Sequence, residues 1–203
     1  MCYNFETSIS TFIFALISSI YLWNRNKTDD RWFCMFGLTF SSMQLIEALL
    51  HRDLKNRNLN TILSLAGFII VFLEPLANNA GGIFYGNDKS FFIKSTLMYL
   101  IYMLYIYTFK YPETKDFQTT KEPNLDNLQW NWLNKLNTLD WIVYLFFISM
   151  PCLFYKNEYK SMFCFFTGLA AYLYACFYAG FKQPGSLWCL LVNVIYIGVI
   201  LLN

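Results

Sequence analysis

Seven long apolar segments constrain this chain more than any other feature of its sequence. A helix needs about 20 mainly apolar residues, within a range of roughly 17–25, to cross a bilayer. The segments of that kind are Thr7–Trp23, Arg31–His51, Asn60–Gly86, Ser90–Phe109, Thr138–Tyr155, Lys160–Gly180 and Pro184–Leu202. Because short polar turns join most of them, we predict an all-α fold: a polytopic membrane bundle of about seven transmembrane helices, in one domain over residues 1–203.

The composition indicates an integral membrane protein. Hydrophobic residues make up 57% of the chain and charged residues 14%, whereas soluble domains hold roughly 45–50% and about 25%. The net charge of +2 gives the protein no basic surface for binding nucleic acid. The expected partner is therefore the lipid bilayer. Whether the protein forms an oligomer is left open. The N-terminal segment lacks the basic flank and cleavage site of a signal peptide, so we expect it to be retained as a span.

Two further patterns limit what the sequence can say. The six cysteines form no Cys-x-x-Cys pair and lie mostly inside apolar segments, so we expect buried free thiols rather than disulfides.

With seven spans, the Lys and Arg residues divide eight to seven between the two membrane faces. The positive-inside rule therefore gives no orientation.

The connection 110–137 is long and reads in two halves. Up to Pro123 it shows no periodicity, so we expect an irregular loop. After Pro123, apolar residues recur at gaps of three and four, which predicts an interfacial amphipathic helix over Leu125–Leu136 with Asn124 as its N-cap.

The second span carries a polar stripe. Ser41, Gln44, Glu47 and His51 are spaced by three, three and four, so they share one helical face. Interhelical hydrogen bonds, worth about 0.6–2 kcal/mol each, are one interpretation. For Glu47 we favour a functional role, because ionisable groups deep in a membrane usually have one. Glu47 could also pair with His51, or His51 could be a solvated span end.

The third span carries Glu74 near its middle, followed by Pro75 and Asn78. Proline removes one backbone donor and frees the carbonyl of Val71. We therefore expect a kinked or broken helix lined by amides, which is how membrane proteins build polar sites at depth. No basic residue in the spans reaches the depth of Glu74, so we expect a neutral carboxyl that donates to a serine of span two or an amide of span seven.

Depth along the spans suggests one shared cavity. At about 1.5 Å per residue from the face that holds residues 52–59, Glu74 lies roughly 20 Å deep. The other residues placed along the wall are Ser41, Gln44, Glu47, His51, Asn78, Asp140, Asn193 and Tyr196. We predict a one-sided polar cavity that binds a small molecule or ion, as in a channel or transporter. A non-catalytic scaffold is the main alternative, and an intramembrane acid–base enzyme is a third.

Missing residues exclude several known chemistries. The seventh span has no lysine for a retinal, and a multi-histidine zinc hydrolase would need more than His51. No hydrolase nucleophile motif occurs. We expect no catalytic residues, no cofactor and no metal, with a carboxylate metal site from Glu47, His51, Glu74 and Asp140 as a minor alternative.

Two short motifs carry a resemblance to a known family. Ser41-Ser-Met-Gln-Leu-Ile-Glu47 in span two and Gly185-Ser-Leu-Trp-Cys189 in span seven resemble an uncharacterised family of seven-helix membrane proteins of large DNA viruses. The abundance of Asn, Ile, Phe and Tyr fits the AT-rich genomes of that group. The resemblance implies a seven-helix fold in a host or virion membrane and implies no activity.

Overall fold

The described part of the chain is mostly α-helical. The computed structural model describes residues 4–121, 128–179 and 185–202, without the side chains of 178, 179 and 185–192. Its α-helices are α1 (Phe5–Arg25), α2 (Asp30–Arg52), α3 (Arg57–Tyr85), α4 (Lys89–Phe109), α5 (Thr138–Ser149), α6 (Glu158–Ala179) and α7 (Gly185–Leu201). Each overlaps one predicted span, and α5 continues as a 3₁₀ helix, Met150–Phe154. The mostly α fold is confirmed.

Local sequence explains where the helices begin and end. Short polar side chains cap α1, α3, α4 and α5 at Asn4, Asn56, Asp88 and Asn137, each accepting a backbone N–H of the first turn. At the end of α1, Asn26 adopts a left-handed conformation with φ 51°. Its N–H donates to the Leu22 carbonyl at 3.0 Å, which closes the helix.

Contacts between helix ends show an up-and-down bundle. Arg25, the last residue of α1, donates to Asp30 at the start of α2 and to the carbonyls of Val199 and Ile200 near the end of α7. Lys160, in the first turn of α6, donates to Asp30 as well. We call this end of the bundle the Asp30 end. Since α1 and α7 both finish there, the described N-terminal residues lie at the opposite end from the end of α7.

The outer surface of the bundle is apolar. Five described helices, α1 to α4 and α6, are long and apolar enough to cross a membrane, and Thr138–Phe154 is a shorter apolar stretch. On α4, Ile101, Leu104 and Phe109 are each more than 60% exposed. Exposed apolar surface on this scale is compatible with a membrane-embedded protein. That seven helices cross the membrane stays a prediction.

The predicted interfacial helix is wrong over the described residues 128–136. Leu128–Trp130 forms strand β2, which pairs antiparallel with β1 (Thr119–Lys121), and Asn131–Lys135 is a 3₁₀ helix. Trp130 and Trp132 are at most 2% exposed. Their rings pack on α3, so tertiary burial overrides the helical periodicity. Residues 122–127, including Asn124 and Leu125, lie outside the described residues.

The first half of the same connection is also more ordered than expected. Where the sequence predicts an irregular loop, Thr114–Asp116 forms a 3₁₀ helix and Thr119–Lys121 forms β1. We call the β1–β2 pair the hairpin, and the end of the bundle that it covers the hairpin end. The hairpin contacts the N-terminal half of α3, opposite the Asp30 end.

Candidate functional site

The structure divides the predicted site residues between two parts of the bundle interior. Ser41, Gln44 and Glu47 lie on α2 where it packs against α1, α3 and α7, and Asn193 and Tyr196 lie on α7. We call the α1–α2–α7 interface the α2 seam. Glu74 and Asn78, on α3, contact α5 instead, and His51 and Asp140 lie at the hairpin end. All of these residues except His51 are buried.

Tyr196 joins the three helices of the α2 seam. Its hydroxyl lies 2.8 Å from the Ser19 hydroxyl of α1 and beside Ser41 of α2. Gly37 makes this approach possible, because a Cβ at that position would lie 2.6 Å from the Tyr196 oxygen. The polar groups of spans one, two and seven therefore form one cluster.

A row of small residues on α1 completes the α2 seam, and the sequence reasoning missed it. Ser8, Ala15 and Ser18 are buried, and the Thr11 hydroxyl lies 3.0 Å from Gln44 Oε1. These four positions of α1 are spaced by three, four and three, so they share one face. That spacing of small residues was a readable signal for a close helix contact.

Glu47 is the most unusual group in the α2 seam. Its side chain is fully buried, and neither carboxyl oxygen accepts a hydrogen bond in the described part of the chain. The expected pair with His51 is therefore not formed, although His51 lies one turn away in the last turn of α2. Buried polar groups are nearly always hydrogen-bonded, so this carboxyl calls for an explanation other than packing.

Glu74 has a different partner from the one expected. The Tyr144 hydroxyl of α5 donates to Glu74 Oε2, whereas the sequence suggested a serine of span two or an amide of span seven. Oε1 has no donor among the described residues. The α3 helix is not broken at Pro75 but continues to Tyr85. Just before Pro75, the backbone carbonyl of Phe72 accepts a hydrogen bond from the Tyr99 hydroxyl of α4 at 3.0 Å.

Asn78 is engaged at every polar atom of its side chain. The Trp32 indole donates to Asn78 Oδ1 at 2.9 Å and to its backbone carbonyl at 2.8 Å. Asn78 Nδ2 donates to the Ile148 carbonyl at 2.9 Å, where α5 gives way to the 3₁₀ helix. These bonds tie α2, α3 and α5 together, so interhelical packing accounts for this residue.

Asp140 caps a helix. Its carboxylate accepts the backbone N–H of Asn137, while Asn137 Oδ1 accepts the backbone N–H of Asp140, a reciprocal capping box. Lys110 Nζ lies 3.9 Å from the same carboxylate. The start of α5 therefore uses Asp140 for stability.

The charged cluster at the Asp30 end was not foreseen from the sequence. Arg25 donates to both carboxylate oxygens of Asp30 at 2.8 Å, and Lys160 Nζ donates to Oδ1 at 2.8 Å. Burial by itself raises the pKa of Asp30, but the hydrogen bonds from Arg25 and Lys160 outweigh it, so that pKa lies below its ordinary value. The bond to Asp30 raises the pKa of Arg25.

A second unforeseen network fastens the hairpin to α3. The Asn60 carboxamide donates to the Thr119 carbonyl and accepts the Thr119 N–H, both at 2.8 Å. The Ser64 hydroxyl lies 2.7 Å from Thr119 Oγ1. The carboxamide thus pairs with the backbone of β1 as a neighbouring strand would.

Four cavities of the described structure lie away from the predicted site residues. A volume of about 20 Å³ near Cys164 in the bundle centre has room for about one water molecule. Apolar grooves of about 280 Å³ and 140 Å³ open on the outer surface, and a groove of about 600 Å³ beside Arg57 opens at the hairpin end. None of these four is lined by Glu47 or Glu74.

The described cysteines agree with the expected free thiols. Cys34, Cys152, Cys164 and Cys176 are free and buried.

No family model, curated protein or solved structure matches the chain. The resemblance to the viral seven-helix family therefore stays a prediction.

Proposed function

We propose that this is a multi-pass membrane protein that binds a proton or small cation at Glu47, inside the α2 seam, as a transporter or channel does. The observation that carries the proposal is the burial of Glu47 without a hydrogen-bond donor to either oxygen among the described residues. Packing accounts for Asn78 and Asp140, but among the described residues it gives Glu47 no partner.

The energetics of Glu47 favour a partner that comes from outside the chain. A buried polar group without a partner costs about 1–3 kcal/mol even when neutral. An ionised carboxylate in the same place costs several kcal/mol more. A buried carboxyl without a partner among the described residues therefore favours a ligand that reaches it from outside the chain.

Polar side chains lie on each side of Glu47 along α2. Glu47 lies five residues from the end of α2, about 8 Å along the axis, with His51 between it and the hairpin end. In the other direction, Gln44 and Ser41 follow on the same face and lead to Tyr196. Rows of hydroxyl, amide and acidic groups inside a bundle are the form that proton relays take in membranes.

A proton fits this site better than a divalent metal ion. A calcium ion takes six to eight oxygen ligands. Within residues 4–121, 128–179 and 185–202, no group of three or more His, Cys, Asp or Glu side chains could hold a metal. A single carboxyl needs no such group to carry a proton.

The test is proton flux into liposomes that contain the purified protein and a pH-sensitive dye. We expect flux in the wild type and at least a tenfold loss in Glu47→Gln. The matched control is Glu6→Gln, because Glu6 is an exposed acid of α1. Glu74→Gln should keep most of the flux, since the glutamine oxygen still accepts from Tyr144. Circular dichroism and gel filtration establish that each variant is folded.

Two outcomes contradict the proposal. One is a wild type that passes neither protons, sodium nor potassium. The other is a flux that Glu47→Gln leaves unchanged.

A non-catalytic membrane scaffold is the second proposed function. It is favoured by the interhelical bonds of Asn78 and by the charged cluster around Asp30, which hold the bundle together without a ligand. A scaffold should show no flux, and Glu47→Gln should leave its stability equal or slightly higher, because an amide carries no charge to desolvate.

A further inference from the structure

An apolar groove of about 280 Å³ runs between α1 and α2 on the outer surface of the bundle. Leu16, Ile20 and Trp23 line it from α1, and Met35 and Leu38 line it from α2. From Leu16 to Trp23 the groove extends about 10 Å along the helix axis toward the Asp30 end. It has the shape and character to hold part of one hydrocarbon chain.

Arg31 stands at the Asp30 end of this groove. It precedes Met35 by one turn of α2, and its guanidinium lies 5.2 Å from the centre of the Trp23 ring. Its Nε is buried and has no hydrogen-bond acceptor in the described part of the chain. Because Arg31 as a whole is only partly buried, the rest of its guanidinium can be reached from outside the bundle.

Arg25, a few residues away, is different, because each of its three guanidinium nitrogens donates a hydrogen bond within the bundle. Its N–H groups are taken up by Asp30 and by the carbonyls of Val199 and Ile200. Because Asp30 is also bound to Lys160, its negative charge is already neutralised. Arg31 is left as a cation that suits an anion from outside the chain.

We propose that the groove and Arg31 together bind one anionic phospholipid. The phosphate accepts hydrogen bonds from the Arg31 guanidinium, a planar donor that suits phosphate oxygens. One acyl chain lies between α1 and α2 from Trp23 to Leu16. Lys27, exposed in the adjoining turn, adds positive potential near the headgroup. The inference rests on the membrane embedding in the proposed function, but not on ion binding at Glu47.

The test uses phospholipids with brominated acyl chains, because bromine quenches a tryptophan that it touches. The full chain is reconstituted in nanodiscs of phosphatidylcholine with increasing brominated phosphatidylglycerol or brominated phosphatidylcholine. The fluorescence of Trp23 is obtained as the difference between wild type and Trp23→Phe. We expect phosphatidylglycerol to reach half-maximal quenching at about a fivefold lower fraction, the ratio that one favourable charge contact of about 1 kcal/mol gives.

Three variants locate the contact. Arg31→Gln should remove the preference for phosphatidylglycerol. Lys89→Gln, which removes an exposed charge at the start of α4 and away from the groove lining, should keep it. Leu16→Phe, which fills the groove and leaves Arg31 in place, should weaken the quenching of Trp23 by both lipids. This variant keeps the test decisive if Arg31→Gln does not fold.

Several results overturn the assignment. They are equal quenching by both lipids in the wild type, a preference that survives Arg31→Gln, and undiminished quenching in Leu16→Phe. A brominated sterol that quenches Trp23 at a lower fraction than phosphatidylglycerol would assign the groove to a sterol instead. None of these measurements depends on ion flux, so failure here and failure of the Glu47 proposal are separate results.

Discussion

Replacing Asp30 with asparagine should destabilise the bundle by about 3–5 kcal/mol, the range for breaking a buried ion pair. The Asp30 carboxylate accepts from Arg25 Nε and Nη2, from Lys160 Nζ and from the Lys27 N–H, at 2.8–2.9 Å. Asparagine offers one acceptor oxygen in place of two. At least two charge-assisted bonds, each worth about 1.5–3 kcal/mol, are lost, and two cations remain facing each other.

The assay is urea unfolding of the detergent-solubilised protein, followed by tryptophan fluorescence. Asp53→Asn is the matched control, since Asp53 is exposed at the end of α2. A double variant, Asp30→Asn with Lys160→Met, should recover part of the loss because it removes one of the uncompensated cations. If Asp30→Asn lowers the free energy of unfolding by less than about 1 kcal/mol, the cluster does not hold the Asp30 end together.

The same cluster should make stability depend on pH in acid. Asp30 lies outside the predicted spans, and its pKa in the folded protein is below the ordinary value. Its contribution is therefore fully present above the unfolded pKa of about 3.9 and is lost as the pH falls through the folded pKa. Asp30→Asn should show a flatter stability profile below pH 4 than the wild type.

Two further predictions concern close contacts between elements. Gly37→Ala should lower the free energy of unfolding by about 1–3 kcal/mol, because its Cβ would lie 2.6 Å from the Tyr196 hydroxyl. The control in the same urea assay is Gly168→Ala in α6, whose Cβ would meet its nearest atom at 3.9 Å; it should raise the free energy of unfolding by up to about 1 kcal/mol, because alanine is the better helix former. Asn60→Leu should release the hairpin and speed tryptic cleavage at Lys115 several-fold, because the two bonds to Thr119 are lost. Cleavage at the wild-type rate would show that the aromatic contacts hold the hairpin without Asn60.

The positions of the helices could be predicted from the sequence because their causes are local. A run of apolar residues and a capping side chain such as Asn137 lie within one segment, and they mark the same boundaries in any arrangement of the bundle. The helical face that carries Ser41, Gln44 and Glu47 follows from the helical repeat alone, and all three side chains are indeed buried.

Partners of the buried groups could not be predicted, because they depend on how neighbouring helices are rotated and shifted. Nothing in the order of residues indicates that Glu74 meets Tyr144, or that Asn78 meets Trp32. For the same reason, the amphipathic pattern around Trp132 led to the wrong prediction of an interfacial helix. Apolar residues three and four apart need not lie on an α-helix. Here a strand and a 3₁₀ helix bury them against α3, where Gly67 leaves room for the Trp130 ring.

Apolar helices with acids and amides in their interiors follow directly from the order of residues in this chain. Which of those groups find hydrogen-bond partners depends on how the helices pack: Asn78 is hydrogen-bonded, while Glu47 has no donor among the described residues. The physical reason is that burial follows from the helical repeat, whereas a hydrogen bond between helices requires two side chains to meet within about 3 Å. That distance is set by the packing of the whole bundle.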